Sequence, residues 1–295
     1  IGNLKKIGQG AHYVNTGGTG HSDKVHKWIV VNGDKVFISS PLNGESLTWE
    51  EYEDPTLGDM YFHLDRREKW SKELKTVDDL NSVSTSKEDF SRIWNKIYTM
   101  LKDGWTIQEG NAGMEYLVNA FFVNTVNTCV GRHLYTIING ARNTGKSSLT
   151  ELLASSDYDW RLLECVLQSD GYTPAGIRNT MDSRAGGYFC DEFEVTSKEQ
   201  DKASKVLKIL TDQRGLVQKS EHVIQHGAPG GGKKRYVLKY QVWAASIEAL
   251  RDPADISRYV RLSTKEVKGK TPPKKTLEDL HGLAAIAECR RYLTL

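Results

Sequence analysis

An apolar run, Leu134-Tyr135-Thr136-Ile137-Ile138, leads into Gly140-Ala141-Arg142-Asn143-Thr144-Gly145-Lys146-Ser147 and then into Ser148-Leu149-Thr150-Glu151-Leu152-Leu153. No other stretch of this 295-residue chain limits its fold as much. The middle segment is a full match to the pattern G-x-x-x-x-G-K-S/T, and a strand before it with a helix behind it is the context in which that pattern has a mechanism. Its glycines let backbone N–H groups turn inward around a polyphosphate at the positive end of a helix. Lys146 is expected to reach the β- and γ-phosphates of ATP, and the Ser147 hydroxyl to ligate Mg²⁺. Gly140 through Ser147, with Ser148 behind them, are therefore the candidate nucleotide-binding residues.

Such a loop belongs at the end of a parallel strand, and the sequence supplies further strands of that kind. Gly187-Tyr188-Phe189-Cys190 and Val242-Trp243-Ala244-Ala245 are short apolar runs set among helical patterns, which implies a mostly parallel sheet covered on both faces. The first ends in Asp191-Glu192, 45 residues after Lys146. A carboxylate at the carboxyl end of a parallel strand faces the ligand crevice. Asp191 is the candidate to hold Mg²⁺ and Glu192 the candidate general base for water; two adjacent acids favour hydrolysis over simple phosphate transfer. The second run is followed by Ser246, placed to sense the γ-phosphate. Farther on, Asp255-Ile256-Ser257-Arg258 offers Arg258 as an arginine finger reaching a neighbouring subunit, with Arg251 and Arg261 as rivals that spacing does not separate.

Total charge argues against a uniformly basic coat, with 40 Lys and Arg against 38 Asp and Glu. Sorted by position, the charge tells more. Residues 41–65 hold seven acids and no Lys or Arg, whereas residues 198–240 hold ten basic residues against four acids, a local +6. Within the basic window, Lys219 and His222 precede Gly230-Gly231-Gly232 and Lys233-Lys234-Arg235. A flexible glycine tip flanked by these residues would follow a phosphate backbone without reading sequence. Cys129, Cys165, Cys190 and Cys289 are 36, 25 and 99 residues apart, which fits reduced thiols in a cytoplasmic protein better than a disulfide scaffold or a zinc site. No membrane span or signal core is evident, and the first residue, Ile1, suggests a fragment of something longer.

The rest of the chain is legible at lower resolution. Two β-branched and aromatic runs flank Asn32-Gly33, predicting a hairpin that turns on that dipeptide. The acidic stretch reads as a solvated loop or edge. Phe90, Ile93, Trp94, Ile97, Tyr98 and Leu101 recur at helical spacing behind Ser86, and Met114, Leu117, Val118, Phe121 and Phe122 mark a second helix. The expected division is a β-rich segment 1–85, a helical region 86–132, an ATPase core 133–264, and a basic linker with a C-terminal helix 265–295.

At the motif residues the chain resembles the C-terminal helicase part of phage and prophage primase–helicases, among the superfamily-three and allied AAA+ ATPases. The resemblance extends through Gly171-Tyr172-Thr173-Pro174-Ala175-Gly176-Ile177-Arg178-Asn179, Asp182-Ser183-Arg184, Asp191-Glu192-Phe193-Glu194 and Asp255-Ile256-Ser257-Arg258, covering about residues 134–263. It implies an α/β P-loop NTPase fold, AAA+-like, preceded by an oligomerising helical collar. It further implies a homo-oligomeric ring, hexameric in this family, that hydrolyses ATP with Mg²⁺ at subunit interfaces and draws single-stranded DNA through its channel. A basic hairpin before the Ser246 strand would carry DNA contacts, with Lys233, Lys234 and Arg235 at the matching position. No primase signature is present, so a primase or polymerase module would lie elsewhere on a parent chain. The rival readings are a P-loop small-molecule kinase and a ring that binds ATP and DNA with little hydrolysis.

Overall fold

The computed structural model describes residues 4–15, 26–41, 48–67, 74–82, 86–130, 135–154, 166–168, 187–190, 216–225, 228–237, 241–247, 253–257, 259–266, 285 and 288–289. Seven strands come first: β1 (Lys5–Ile7), β2 (Gly10–Asn15), β3 (His26–Asn32), β4 (Lys35–Ser39), β5 (Trp49–Glu51), β6 (Thr56–Leu57) and β7 (Met60–Phe62). They form a four-stranded antiparallel sheet, β2-β3-β4-β5, and a three-stranded one, β1-β7-β6. The hairpin β3–β4 is apolar on both faces because both are covered. Ile29, Val31, Val36 and Ile38 pack with Ile7, Met60 and Phe62, while Val30 and Phe37 pack with Leu74 and Leu80, the last on helix α1 (Val77–Asn81).

The turn of that hairpin falls one residue later than the sequence predicts. Asn32 pairs with Lys35, so Gly33-Asp34 form the loop, and Gly33 alone takes positive φ, at 69°. Asn32 stays in the strand because its side chain is buried there, donating from Nδ2 to the Leu74 carbonyl at 2.6 Å; the Gly33 N–H in turn donates to Gln9 Oε1. Part of the acidic stretch forms edge strand β5, with Glu50 and Glu51 exposed and Lys35 paired to Glu51 at 3.1 Å. Charge on an edge discourages further strand pairing.

Helix α2 (Lys87–Gly104) starts where the sequence predicts. Ser86 is its N-cap and its Oγ accepts from the Asp89 N–H at 3.1 Å, satisfying one of the four otherwise unpaired N–H groups. Five residues then connect it to α3 (Gly110–Val130), which buries Met114, Leu117, Val118 and Phe121 and leaves Asn111, Glu115 and Asn119 exposed on the opposite face. No helix among the described residues is long and apolar enough to cross a membrane.

Next come β8 (Tyr135–Asn139), α4 (Lys146–Ala154), β9 (Val166–Gln168) and β10 (Gly187–Cys190). They are followed by β11 (Leu216–Gln225), β12 (Ala228–Val237), β13 (Gln241–Ser246), α5 (Pro253–Ile256) and β14 (Val260–Ser263). Five of these strands make one sheet in the order β14-β8-β13-β10-β9, every neighbouring pair parallel. Both faces of its centre are buried: Thr136, Ile138, Phe189 and Trp243 on one, Tyr135, Ile137, Tyr188, Cys190, Val242 and Ala244 on the other. The first face shares a core with the helical region. Ile93, Ile97, Met100 and Leu101 of α2, Leu117, Val118 and Phe121 of α3, and Leu149 and Leu152 of α4 join Ile138, Phe189 and Trp243 in one cluster. Phe189 stacks on Trp243 at 5.7 Å between ring centres, and Phe121 closes on the same indole at 5.6 Å.

The glycine tip expected in the basic window is not where the chain turns. Strands β11 and β12 form a ten-rung antiparallel ribbon whose last rung is Gln225↔Ala228. Gly230, Gly231 and Gly232 therefore lie inside β12, opposite Val223, His222 and Glu221. The ladder continues through the glycines because strand pairing uses backbone groups that glycine also has, and a two-residue connection already suffices for a hairpin.

Candidate functional site

Chain direction places the site. All five sheet strands run the same way, so the segments after β8, β10, β13 and β14 leave from one edge of the sheet. The Gly140–Ser147 segment leaves β8 there and becomes α4 at Lys146. Asn143 takes positive φ, 63°, and Gly145 takes 81°; these two inversions turn the backbone around the loop. Gly140 is required for a different reason. A Cβ there would collide with Thr264 Oγ1 and lie 2.6 Å from Thr144 Oγ1 and 2.9 Å from the Thr264 carbonyl.

Inside the loop, the Lys146 ammonium donates to the carbonyls of Gly140 and Ala141, each at 2.7 Å. The lysine is thus held over its own loop by bonds that a phosphate oxygen can replace with stronger, charge-assisted ones. Ser147 is exposed in the first turn of α4, where the unpaired N–H groups and the helix dipole favour an anion, and Ser148 is half-buried beside it. Arg142 and Asn143 are exposed, as is Ala141.

Neighbouring strands frame this loop. Asn139, the last residue of β8, is level with Ser246 on one side and Ser263 on the other. Ser246 is buried at that point, so the strand predicted to lie beside the loop does, and its terminal hydroxyl residue is next to where the loop begins. Asn139 Oδ1 is buried without a hydrogen-bond partner, an acceptor available to water or a donor at the site. Two residues that motif spacing does not reveal also reach the loop. Trp105, in the α2–α3 connection, donates from Nε1 to the Gly145 carbonyl at 2.7 Å. Thr264, just past β14, contacts Thr144 Oγ1 at 2.8 Å and donates its backbone N–H to Asn139 O at 2.7 Å. They lie 40 and 120 positions from their partners, and no local pattern marks either.

β10 leads to the acidic pair and ends at Cys190, which is level with Ala244 of β13. Burial pushes the Cys190 thiol and the Tyr188 hydroxyl far up, so both stay protonated and neither is a nucleophile at neutral pH. Asp191 and Glu192 lie outside the described residues, as do Arg251 and Arg258. Arg261 is exposed on β14, the edge strand, level with Ile137.

The ribbon β11–β12 is joined directly to β13 through residues 238–240. Its rungs alternate between two faces. Lys219↔Lys234 falls on one face, while Gln218↔Arg235, Ser220↔Lys233 and His222↔Gly231 fall on the other. The five predicted nucleic-acid residues therefore share one ribbon but divide between its faces.

No family model matches the chain, and no curated protein matches it. Among solved structures, the apo A form of the NrS-1 C-terminal region is 13% identical over 90% of this chain and 66% of that one, with a TM-score of 0.40. A structure of JCV helicase with a bound small molecule is 11% identical over 74% of this chain and 56% of that one, with a TM-score of 0.37. A putative ATPase from Cytophaga hutchinsonii is 13% identical over 69% and 64%, with a TM-score of 0.31. The chain thus spans less than two thirds of each of these lengths, and none of the scores reaches the level at which a common fold is established.

Proposed function

We propose that this chain is the ATP-hydrolysing motor module of a phage or mobile-element replication protein, a DNA helicase or translocase that works as a homo-oligomeric ring. The observation that carries the reading is a complete G-x-x-x-x-G-K-S loop mounted at the carboxyl end of a central parallel strand, with Ser246 on the adjacent strand end. An AAA+-like P-loop NTPase is the fold class this arrangement supports.

In this reading Lys146 leaves the Gly140 and Ala141 carbonyls for the β- and γ-phosphates of ATP, and the amides of residues 144–147 cradle them. Ser246 polarises the γ-phosphate. Glu192 orients and deprotonates the attacking water, and Arg258 of a neighbouring copy neutralises charge developing on the transferred group. The exposed Ser147 hydroxyl and the unpartnered Asn139 acceptor suit a hydrated divalent ion; Ser147 and Asp191 would hold Mg²⁺. When bound, Mg²⁺ neutralises charge on the phosphate oxygens. The ribbon supports a polyanion partner, single-stranded DNA. Its register sets Lys219 opposite Lys234, with Arg235 and Lys233 at the rungs on either side.

The deciding experiment measures ATP hydrolysis with and without single-stranded DNA. Lys146→Ala is expected to lower the rate by about 10²–10³ or more, and an unchanged rate removes the assignment. Mixing inactive Lys146→Ala with inactive Arg258→Ala chains should restore activity, since a mixed ring contains intact interfaces; no rescue at any ratio removes the trans finger. Transfer of phosphate to a small acceptor instead of water would favour a kinase, and tight ATP-dependent DNA binding without turnover a gated ring.

A further inference from the structure

We propose that Trp105 and Thr264 are positioning residues of the phosphate loop, two arms of a bracket through which the helical region holds the loop in its binding shape. The proposal rests on the reading that ATP binds at residues 140–147. Its observations are the contacts that the loop makes with remote parts of the chain.

The α2–α3 connection is anchored by two buried residues, Trp105 and Ile107. It runs antiparallel to the segment that follows β14 and pairs with it: Gln108 N–H donates to Ser263 O at 2.7 Å, Lys265 N–H donates to Thr106 O at 2.9 Å, and Ile107 bridges Thr264. Glu109 adds an acceptor for the Ser263 N–H at 2.9 Å. This pairing brings two side chains to opposite limbs of the loop. Trp105 is buried at the C-cap of α2, its own N–H donating to Leu101 O at 2.8 Å, so the indole is fixed by the helix that ends there. Its Nε1–H reaches the Gly145 carbonyl, which also accepts the Leu149 N–H at 2.9 Å. The peptide that orients the Lys146 amide is therefore held from both sides.

Thr264 acts on the other limb. Its backbone N–H occupies the Asn139 carbonyl at 2.7 Å. The Thr264 and Thr144 hydroxyls make three contacts, to each other at 2.8 Å, to Asn139 O at 3.1 Å and to Ala141 O at 2.9 Å, with only two protons between them. Asn139 O and Ala141 O each already have a donor, the Thr264 N–H and the Lys146 ammonium, so the shared proton can run either way, and in both directions the hydroxyl pair ties Thr264 to Thr144. That tie fixes the first turn of the loop.

The test uses the intact chain, with equilibrium binding of a fluorescent ATP analogue, steady-state hydrolysis and a thermal melt for each variant. Trp105→Phe keeps a ring and loses the donor; Thr264→Val keeps the shape and loses the hydroxyl; Thr264→Ser keeps the hydroxyl. Trp105→Phe and Thr264→Val should each raise Kd and KM for ATP by about three- to tenfold, the net worth of one hydrogen bond, with kcat within about twofold because ground-state and transition-state binding are lost together. Thr264→Ser should restore wild-type affinity. Folded variants with unchanged affinity, or a lower melting point as the only change, overturn the bracket. If Trp105→Phe fails to fold, the Thr264→Val and Thr264→Ser pair decides alone. If the parent chain binds no nucleotide, or Lys146→Ala binds as tightly as the parent, the nucleotide reading itself fails and the bracket falls with it.

Discussion

The Gly140–Ser147 loop and the basic ribbon are the two strongest signals in the sequence, and the fold treats them in opposite ways. Gly140 to Ser147 are contiguous in the chain and remain together, because a loop with two positive-φ residues wraps its backbone around one point. Lys233, Lys234 and Arg235 are also contiguous, yet an extended strand sends successive residues to opposite faces, so Lys234 parts from its neighbours. Adjacency in sequence is thus evidence for a site in a loop and evidence against one in a strand. The ribbon instead pairs Lys234 with Lys219, fifteen positions away in the chain.

The largest expected effect that tests this contrast, after loss of turnover in Lys146→Ala, is that of Gly140→Ala. Its Cβ must displace Thr264 or Thr144, and overpacking of this kind costs about 1–3 kcal/mol. Nucleotide affinity should fall by an order of magnitude or more in an analogue titration, and wild-type affinity would show that the loop is not held as tightly as the contacts imply.

The ribbon is tested next, by comparing Lys219→Ala/Lys234→Ala with Lys233→Ala/Arg235→Ala. Each phosphate contact removed should lower the slope of log K against log salt by about 0.7 for single-stranded DNA. One pair should lower it by nearly twice that and the other hardly at all. Equal losses from both pairs would mean that the two faces do not act separately. A smaller effect is expected at Asn143, where φ is 63°. Asn143→Val should weaken stability or nucleotide binding by about 1–2 kcal/mol through backbone strain, while Asn143→Gly should be nearly neutral.

The smallest effect lies outside both regions. Glu288 pairs with Arg92 and Lys96 of α2, and these cations, Lys96 foremost, hold its carboxyl below a free glutamate's 4.5. A depressed carboxylate stabilises the fold above that ordinary value and ceases to as pH falls through the lowered one. Glu288→Gln should therefore lower the melting midpoint by only about 1 °C at neutral pH, the pair being largely solvated, and the difference should vanish in acid. Beside it, burial pushes the Cys289 thiol up to about 12, which keeps it unreactive.

Much of the architecture was legible because its signals are local. The β8 strand, the loop and α4 are continuous in sequence, Ser86 caps α2 where its hydroxyl stands before the helical stripe, and β10 and β13 read as apolar runs because both of their faces are buried. The misreadings were also local in origin. Asn32-Gly33 has the composition of a turn, but Asn32 has a buried partner at Leu74, 42 residues on, and the loop moves to Gly33-Asp34. Three glycines suggest a flexible tip, yet their backbone groups pair like any others.

What the sequence alone determined is the Gly140–Ser147 loop, its place between strand and helix, and the helical and strand segments around it, since each depends on residues a few positions apart. Only the tertiary structure decided the strand order β14-β8-β13-β10-β9, the face on which each ribbon lysine falls, and the meeting of Trp105 and Thr264 at the loop. Those depend on which elements pack together. That choice is made by burial and backbone pairing summed over the whole chain, and no spacing within a short segment records it.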